Sequence, residues 1–421
     1  MPRFKNPTPY ETLTTLTALH SAWRHIYENR HSSSDNTKHA IGKFKEKHKL
    51  YLGQINRALK KGNYEFEDAK AVFVKDRPIV IATVRDRVVQ RALLETLQKL
   101  PKIKPFLHSP NSFGAVVEGG VRKAAFAYLQ AIRNGATHFY KSDITKFFTK
   151  IPLPKIFTRL EPIVNDPQFM DVLKRATQLD IANLHELRQN KEFFDYTEVG
   201  TPQGCCLSPL MGNILLHEFD QTMTQQNIVC LRYLDDFIIL GPSEGLVQKA
   251  FNRAKKLLAH DNLTAYEAHI NPKKAMAGPV NKSFVYLGLN ICGEQICPSA
   301  EARSKLFNSI RKAFQDSLNT DFAKVNGGSK WKLSLVRTLA QVSDRLEAWG
   351  NQYFFCNDEA LWTSLDIKIT RLIQQYLDDY ENKKATLKKQ IKDTALAERR
   401  FLGIHLLVDS RKRPKEFDLT N

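Results

Sequence analysis

Cysteine is scarce in this chain, and long apolar runs are missing. The 421 residues include 6 cysteines, too few for a disulfide framework at this length. Cys205 and Cys206 are adjacent, and Cys292 and Cys297 lack a second pair at zinc-site spacing, so a structural zinc site is not expected. No run approaches the roughly 20 apolar residues that a bilayer span needs. The N-terminal stretch lacks the apolar core and cleavage site of a signal peptide. Internal repeats and long low-complexity linkers are also absent. These features predict a cytoplasmic protein without a membrane partner.

What is present is positive charge. There are 63 Lys+Arg against 44 Asp+Glu, a formal net charge of +19. A folded chain repels itself at that charge unless a polyanion is its usual partner, which points to nucleic acid. The hydrophobic fraction of 42% and charged fraction of 25% describe a globular protein. Length alone suggests two or three domains.

Residues 1–65 read as helical and basic, with Lys43, Lys45, Lys47 and Lys49 interleaved among apolar positions and HSSSDN (31–36) as a flexible break. AVFVKDRPIVI reads as a strand with a turn at Asp76-Arg77-Pro78, followed by a helix up to Pro101. A further helix spans 121–134. HFYKSDITKFF is a strand entering a turn, and 151–198 reads as largely helical. SPLMGNILLHEFDQTM reads as one long helix. IVCLRYLDDFIIL reads as two strands joined by a tight acidic turn, FVYLGLNI as a strand, and the chain from about residue 299 as helices alone. The pattern predicts an α+β catalytic part and an all-helical C-terminal part.

Tyr233-Leu234-Asp235-Asp236 is the strongest local feature. Two adjacent carboxylates in an apolar segment repel each other and are costly to bury. A cation shared with a third carboxylate removes that cost, and Mg²⁺ takes such oxygen ligands. The same four letters recur at Tyr376-Leu377-Asp378-Asp379 in a polar helical context, where they read as a solvated helix face. Asp143 ends an apolar strand and supplies the third acid, although an ordinary helix N-cap is the alternative there. Three acids at two strand ends in a basic chain suit two-metal phosphoryl transfer. Between them, Gly200-Thr201-Pro202-Gln203-Gly204 makes a sharp loop where backbone can approach a flat ligand.

Taken in order, RPIVIATVRDRVVQRALLETL, NSFGAVVEGGVRKAAF, SDITKFF, GTPQGCCLSPLMGNILLHEFD, LRYLDDFIIL, INPKKA and FVYLGLNI resemble a reverse transcriptase of the bacterial group II intron-like lineage. The resemblance covers roughly residues 70–295. It implies a right-hand polymerase of the α+β class. Its parts would be a basic helical N-terminal extension (1–65), fingers (66–135), palm (136–295) and a helical thumb and C-terminal region (296–421). It further implies two Mg²⁺ ions, with Mn²⁺ as a substitute, held by Asp143, the Ile144 carbonyl, Asp235 and Asp236. Lys75 and Arg77 would grip the incoming triphosphate. Phe148 would be a steric gate against a ribose 2′-OH. Gln203, Ile144 and Tyr233 would line the nucleotide pocket. Lys274 would be a general acid toward pyrophosphate, and Phe284, Tyr286, Leu287 and Gly288 would form the primer grip.

The expected activity is RNA-directed DNA polymerisation from dNTPs, with an RNA template and a DNA product strand. Ala115-Val116 stand where the family has Arg-Pro, which departs from its template-contacting pattern. No His/Cys-rich endonuclease module follows the thumb-like helices. A solo intron-like enzyme of this kind resembles the antiviral-defence group, which copies a structured partner noncoding RNA. The alternative is a maturase-like RNA binder without catalysis.

Overall fold

The computed structural model describes residues 6–74, 77–116, 118–186, 199–225, 227–319, 334–388, 398–399, 401–402 and 404. The chain divides into two compact units, Met1–Val280 and Asn281–Asn421.

The first unit opens with four helices: α1 (Pro9–Leu13), α2 (Leu16–Glu28), α3 (Asp35–Glu46) and α4 (His48–Lys60). Thr8 caps α1 in a reciprocal box with Glu11. Ser34 caps α3, so the Ser-rich stretch expected as a flexible break is a short 3₁₀ turn followed by a helix cap. Buried Leu19, Trp23, Ile26, Ile41, Phe44, Leu52 and Ile55 recur at helical spacing and join the main core. The lysines interleaved with them stay exposed.

Next come the antiparallel hairpin of β1 (Lys70–Val74) and β2 (Arg77–Ile81), then α5 (Val84–Lys99), α6 (Lys104–Leu107) and α7 (Val121–Arg133). β3 (His138–Asp143) leads to α8 (Phe147–Lys150), α9 (Leu153–Val164) and α10 (Pro167–Thr177). The C-terminal part of the segment expected to be helical over 151–198 lies partly outside the described residues. The long helix expected after the Pro-Gln loop is two, α11 (Ser208–Leu215) and α12 (His217–Met223), broken at Leu216. α11 is buried on nearly all sides. Past the break only one face stays buried, through Phe219, Asp220 and Met223.

β4 (Val229–Tyr233), β5 (Asp236–Gly241), α13 (Glu244–Ala259) and β6 (Met276–Pro279) complete the unit. The sheet order is β4-β5-β3-β6, with every neighbour antiparallel. β5 is a continuous apolar run, FIIL, as expected for a strand covered on both faces. α13 covers one face, where Phe251 stacks on Tyr140 with ring centroids 3.7 Å apart.

The second unit begins with a three-stranded meander, β7 (Phe284–Tyr286), β8 (Leu289–Cys292) and β9 (Gln295–Pro298). FVYLGLNI, expected as one strand, is therefore a hairpin. Leu287 and Gly288 both take positive φ (51° and 76°), the backbone twist that a two-residue turn requires. Helices α14 (Ala300–Leu318), α15 (Leu335–Tyr353) and α16 (Glu359–Lys388) follow. Their core joins Leu306, Ile310, Phe314, Val342, Tyr376 and Tyr380. All six cysteines are free. Among the described residues no helix is long and apolar enough to cross a membrane.

Candidate active site

The acids meet because of strand register. β3 pairs with β5 so that Asp143 lies directly opposite Asp236, and β5 pairs with β4 so that Tyr233 faces Asp236 across the Leu234-Asp235 turn. Asp143 ends its strand and is not the cap of α8, whose N-cap position is Lys146 in a left-handed conformation (φ 49°). The Ile144 N–H donates to the Asp235 carbonyl at 2.8 Å, and the Asp143 carbonyl accepts from the Tyr266 N–H at 3.2 Å. The backbone thus ties both acidic turns together.

Side-chain electrostatics follow from this crowding. Asp143 Oδ1 and Asp236 Oδ1 are buried oxygens without a hydrogen-bond donor, which is unusual and calls for a ligand. Burial pushes the Asp236 carboxyl up to about 8, with the charges of Asp143 and Asp235 adding to the rise and those of Lys141 and Lys274 opposing it. Lys274 Nζ donates to Asp143 Oδ2 at 2.9 Å. Among the described residues no three His, Cys, Asp or Glu side chains are already gathered as a metal group. The two donor-less oxygens nevertheless fit a hard cation, which is bound by carboxylate oxygen.

The Gln203 loop is fixed to both neighbouring segments. Gly200 N–H donates to the Ile151 carbonyl (2.8 Å) and Thr201 N–H to the Phe148 carbonyl (2.7 Å). Val80 N–H of β2 donates to the Gln203 carbonyl at 2.7 Å. Gly204 has φ 111°, and a Cβ there would stand 2.6 Å from the Val80 carbonyl oxygen, so only glycine lets loop and strand touch. Phe148 is half-buried and meets Phe147 edge-on at 5.2 Å. Arg77 lies on β2, the strand bonded to this loop. Lys75 lies outside the described residues, as does the side chain of Arg77.

A supporting network escaped the sequence reading. Arg232, 1% exposed, sits inside the first unit. Its Nε donates to Asp220 Oδ1 at 2.6 Å and its Nη2 to the other Asp220 oxygen. Nη1 reaches Asn213 Oδ1 (3.1 Å) and the Leu234 carbonyl (2.9 Å). Asn213 in turn donates to the Gly114 carbonyl at 3.0 Å. The guanidinium therefore holds the carbonyl of Leu234, whose φ of 57° is strained for a bulky residue. The Asn111–Gly114 segment lies along β4: Arg232 N–H donates to Asn111 and Phe113 N–H to Arg232, each at 2.8 Å. The available signal was a lone arginine inside the apolar strand VCLRY, which needs an internal carboxylate.

A family model described as reverse transcriptase (RNA-dependent DNA polymerase) matches residues 60–291. This chain belongs to the reverse transcriptase family. It is similar to an uncharacterized 91 kDa protein in the cob intron of Schizosaccharomyces pombe, 26% identical over 175 residues, covering 40% of this chain and 20% of that protein. It is similar to the protein YkfC of Escherichia coli, 24% identical over 269 residues, covering 54% of this chain and 67% of that one. It is also similar to the group II intron-encoded protein LtrA of Lactococcus lactis, 26% identical over 231 residues, covering 51% and 35%. The chain thus spans between 20% and 67% of the lengths of these relatives.

Proposed function

We propose that this chain is an RNA-directed DNA polymerase that adds dNTPs to a primer 3′-OH. One observation carries the reading: Asp143 opposite Asp236, each with a buried oxygen that has no donor. A protein that only bound RNA would gain nothing from that cost. Mg²⁺ held by Asp143, Asp235, Asp236 and the Ile144 carbonyl would supply activation of the primer hydroxyl and neutralisation of the triphosphate.

The chain's own groups supply placement. Arg77, and Lys75 beside it, grip the triphosphate; a guanidinium suits that bidentate task. Gln203 and Tyr233 line the nascent pair, and Phe148 excludes a ribose 2′-OH. Lys274 holds a proton at Nζ beside the departing pyrophosphate. Residues 66–135 act as fingers, 136–295 as palm and 296–421 as helical thumb and C-terminal region. The finer reading is a bacterial cytoplasmic enzyme copying a structured noncoding RNA in antiphage defence. Its support is the likeness to group II intron-encoded proteins and the +19 charge.

The test is Mg²⁺-dependent incorporation of labelled dNTPs by purified protein, with an Asp235→Asn control. It is run on an added primed RNA and, separately, on co-purifying RNA alone. DNA made by the wild type and not by the control supports polymerisation, and sequencing it reads out the natural template. RNA that co-purifies without any DNA synthesis overturns the reading in favour of a maturase-like binder.

A further inference from the structure

The β1–β2 hairpin is held along both of its edges. On the β1 edge, Ala69 N–H donates to the Asp180 carbonyl (2.8 Å) and Ala182 N–H to the Ala69 carbonyl (2.9 Å). The chain leaving α10 thus runs beside β1 as a short parallel partner. Two residues further along β1, a side chain takes over from backbone. Asn183 Oδ1 accepts from Ala71 N–H and its Nδ2 donates to the Ala71 carbonyl, both at 2.9 Å. An asparagine amide carries the donor and acceptor of a peptide group, and here it stands in for one. The same Nδ2 has a longer contact, 3.4 Å, to Glu186 Oε2. On the β2 edge, Val80 N–H donates to the Gln203 carbonyl at 2.7 Å.

These bonds lie in one row. Ala71 and Val80 are cross-strand partners. Asn183 engages both backbone groups of Ala71, so the two strands meet here as a non-hydrogen-bonded pair whose polar groups turn outward. The row therefore runs Asn183, Ala71, Val80, Gln203, straight across the hairpin. Around it, Ala69, Ala71, Val80 and Leu179 bury a small core of their own, with Ile181 packed against them. Toward the tip that burial fades: Phe73 is 38% and Val74 53% exposed. Val74 pairs with Arg77, three residues and about 10 Å from the row. The row is the base from which the tip projects.

Ala71 is 1% exposed, so its N–H and C=O need partners within the protein. Asn183 supplies both, on the edge opposite Gln203. A shift of the hairpin at this row is carried outward to the Arg77 end.

We propose that Asn183 is a positioning residue for the incoming nucleotide. Its amide fixes the hairpin against the Gln203 loop, and so fixes where Arg77 stands relative to the nascent base pair. The proposal rests on the polymerase reading, in which Arg77 grips the triphosphate and Gln203 lines the pair. Asn183 touches no substrate and acts through Ala71.

The test measures single-nucleotide incorporation by the full chain on a DNA primer annealed to RNA, with dGTP varied opposite a template cytosine. Asn183→Leu is close in size and leaves both Ala71 groups unpaired. Asn183→Asp keeps the acceptor and sets a second oxygen against the Ala71 carbonyl. Each is expected to raise KM for dGTP about tenfold, as for a polar group left unsatisfied, with kcat within about twofold. Affinity for the primed RNA without dGTP, read by fluorescence anisotropy, should not change. Arg77→Ala should raise KM by itself. Adding Asn183→Leu to it should raise KM by less than about twofold more, because changes that act through one contact are not additive.

A fall in kcat at unchanged KM overturns the proposal. So do full additivity with Arg77→Ala, primed-RNA binding that weakens in step with KM, and variants that match the wild type. Calorimetry of dGTP binding on a dideoxy-terminated primer reads the same affinity without chemistry. A wild type that binds dGTP there about tenfold more tightly than Asn183→Leu, yet makes no DNA, upholds the positioning role while the polymerase reading falls. Equal binding, or none, sinks the proposal whatever the incorporation assay gives. Should Asn183→Leu not fold, as judged by circular dichroism, Asn183→Asp carries the decision.

Discussion

The chain writes Tyr-Leu-Asp-Asp twice, and the two copies behave as opposites. At 233–236 the letters straddle a two-residue strand turn, with Asp236 paired to Tyr233 and Asp143. At 376–379 they lie in the middle of α16. There Tyr376 is 2% exposed and stacks on Phe314 at 4.2 Å, with its hydroxyl 2.9 Å from Ser317 Oγ. Tyr380, one helical turn on, joins the same buried face. Asp378 and Asp379 remain in solvent. Flanks decide the outcome. FIIL after the first copy imposes a period of two and pulls the acids against a sheet; YENKK after the second continues a helix and leaves them wet. The same four letters serve different ends because the fold around them differs.

The sharpest way to break this comparison is to neutralise both copies. Asp235→Asn or Asp236→Asn is expected to lower dNTP incorporation at least about 10³-fold, the several kcal/mol of charge stabilisation at such a centre. The matched changes Asp378→Asn and Asp379→Asn should leave the rate within twofold. A comparable loss from the second pair would end the distinction.

The supports differ as well. Asp220→Asn leaves Arg232 buried without its counter-charge and should cost about 3–5 kcal/mol of stability, read as a lower urea midpoint at unchanged slope. An unshifted midpoint would mean that the network around the first copy is not carrying the turn. Gly114→Ala places a Cβ 2.6 Å from the Leu234 nitrogen. Overpacking of this kind costs about 1–3 kcal/mol, and the strain falls on the acidic turn, so incorporation should drop by more than the melting temperature suggests. At the second copy the buried tie is the contact between the Ser317 and Tyr376 hydroxyls. Ser317→Ala, which removes the partner of the Tyr376 hydroxyl, should cost about 1 kcal/mol in denaturant titration and nothing in catalytic rate.

Much of this was legible in the residues. Apolar β-forming runs and turn chemistry placed β3, β4 and β5, and the acids at their ends marked the candidate site before any register was known. The N-terminal helices and the helical C-terminal part were equally readable from spacing. What stayed hidden depends on contacts between distant residues. Arg232 finds Asp220 and Asn213 through tertiary packing, and no local period announces such a pair. The break at Leu216 has no glycine or proline to mark it, and apolar residues continue on both sides of it. The FVYLGLNI hairpin did carry its signal in Leu287-Gly288, where a short apolar run looks like one strand until the turn is weighed. Asn183 meets Ala71 from 112 positions away, a pairing that sequence alone does not give.

The strand order β4-β5-β3-β6 also sets a schedule for the chain's birth. β3, which bears Asp143, sits between two strands made much later. At ribosomal speeds of about 5–20 residues per second, the roughly 90 residues from Asp143 to Asp236 take on the order of 5–20 s to appear. Throughout that interval β3 has both edges unpaired, and the first acid waits without its opposite. The three acids can therefore come together only after β5 has emerged, and the sheet closes only with β6, while the whole of the second unit is still to be made.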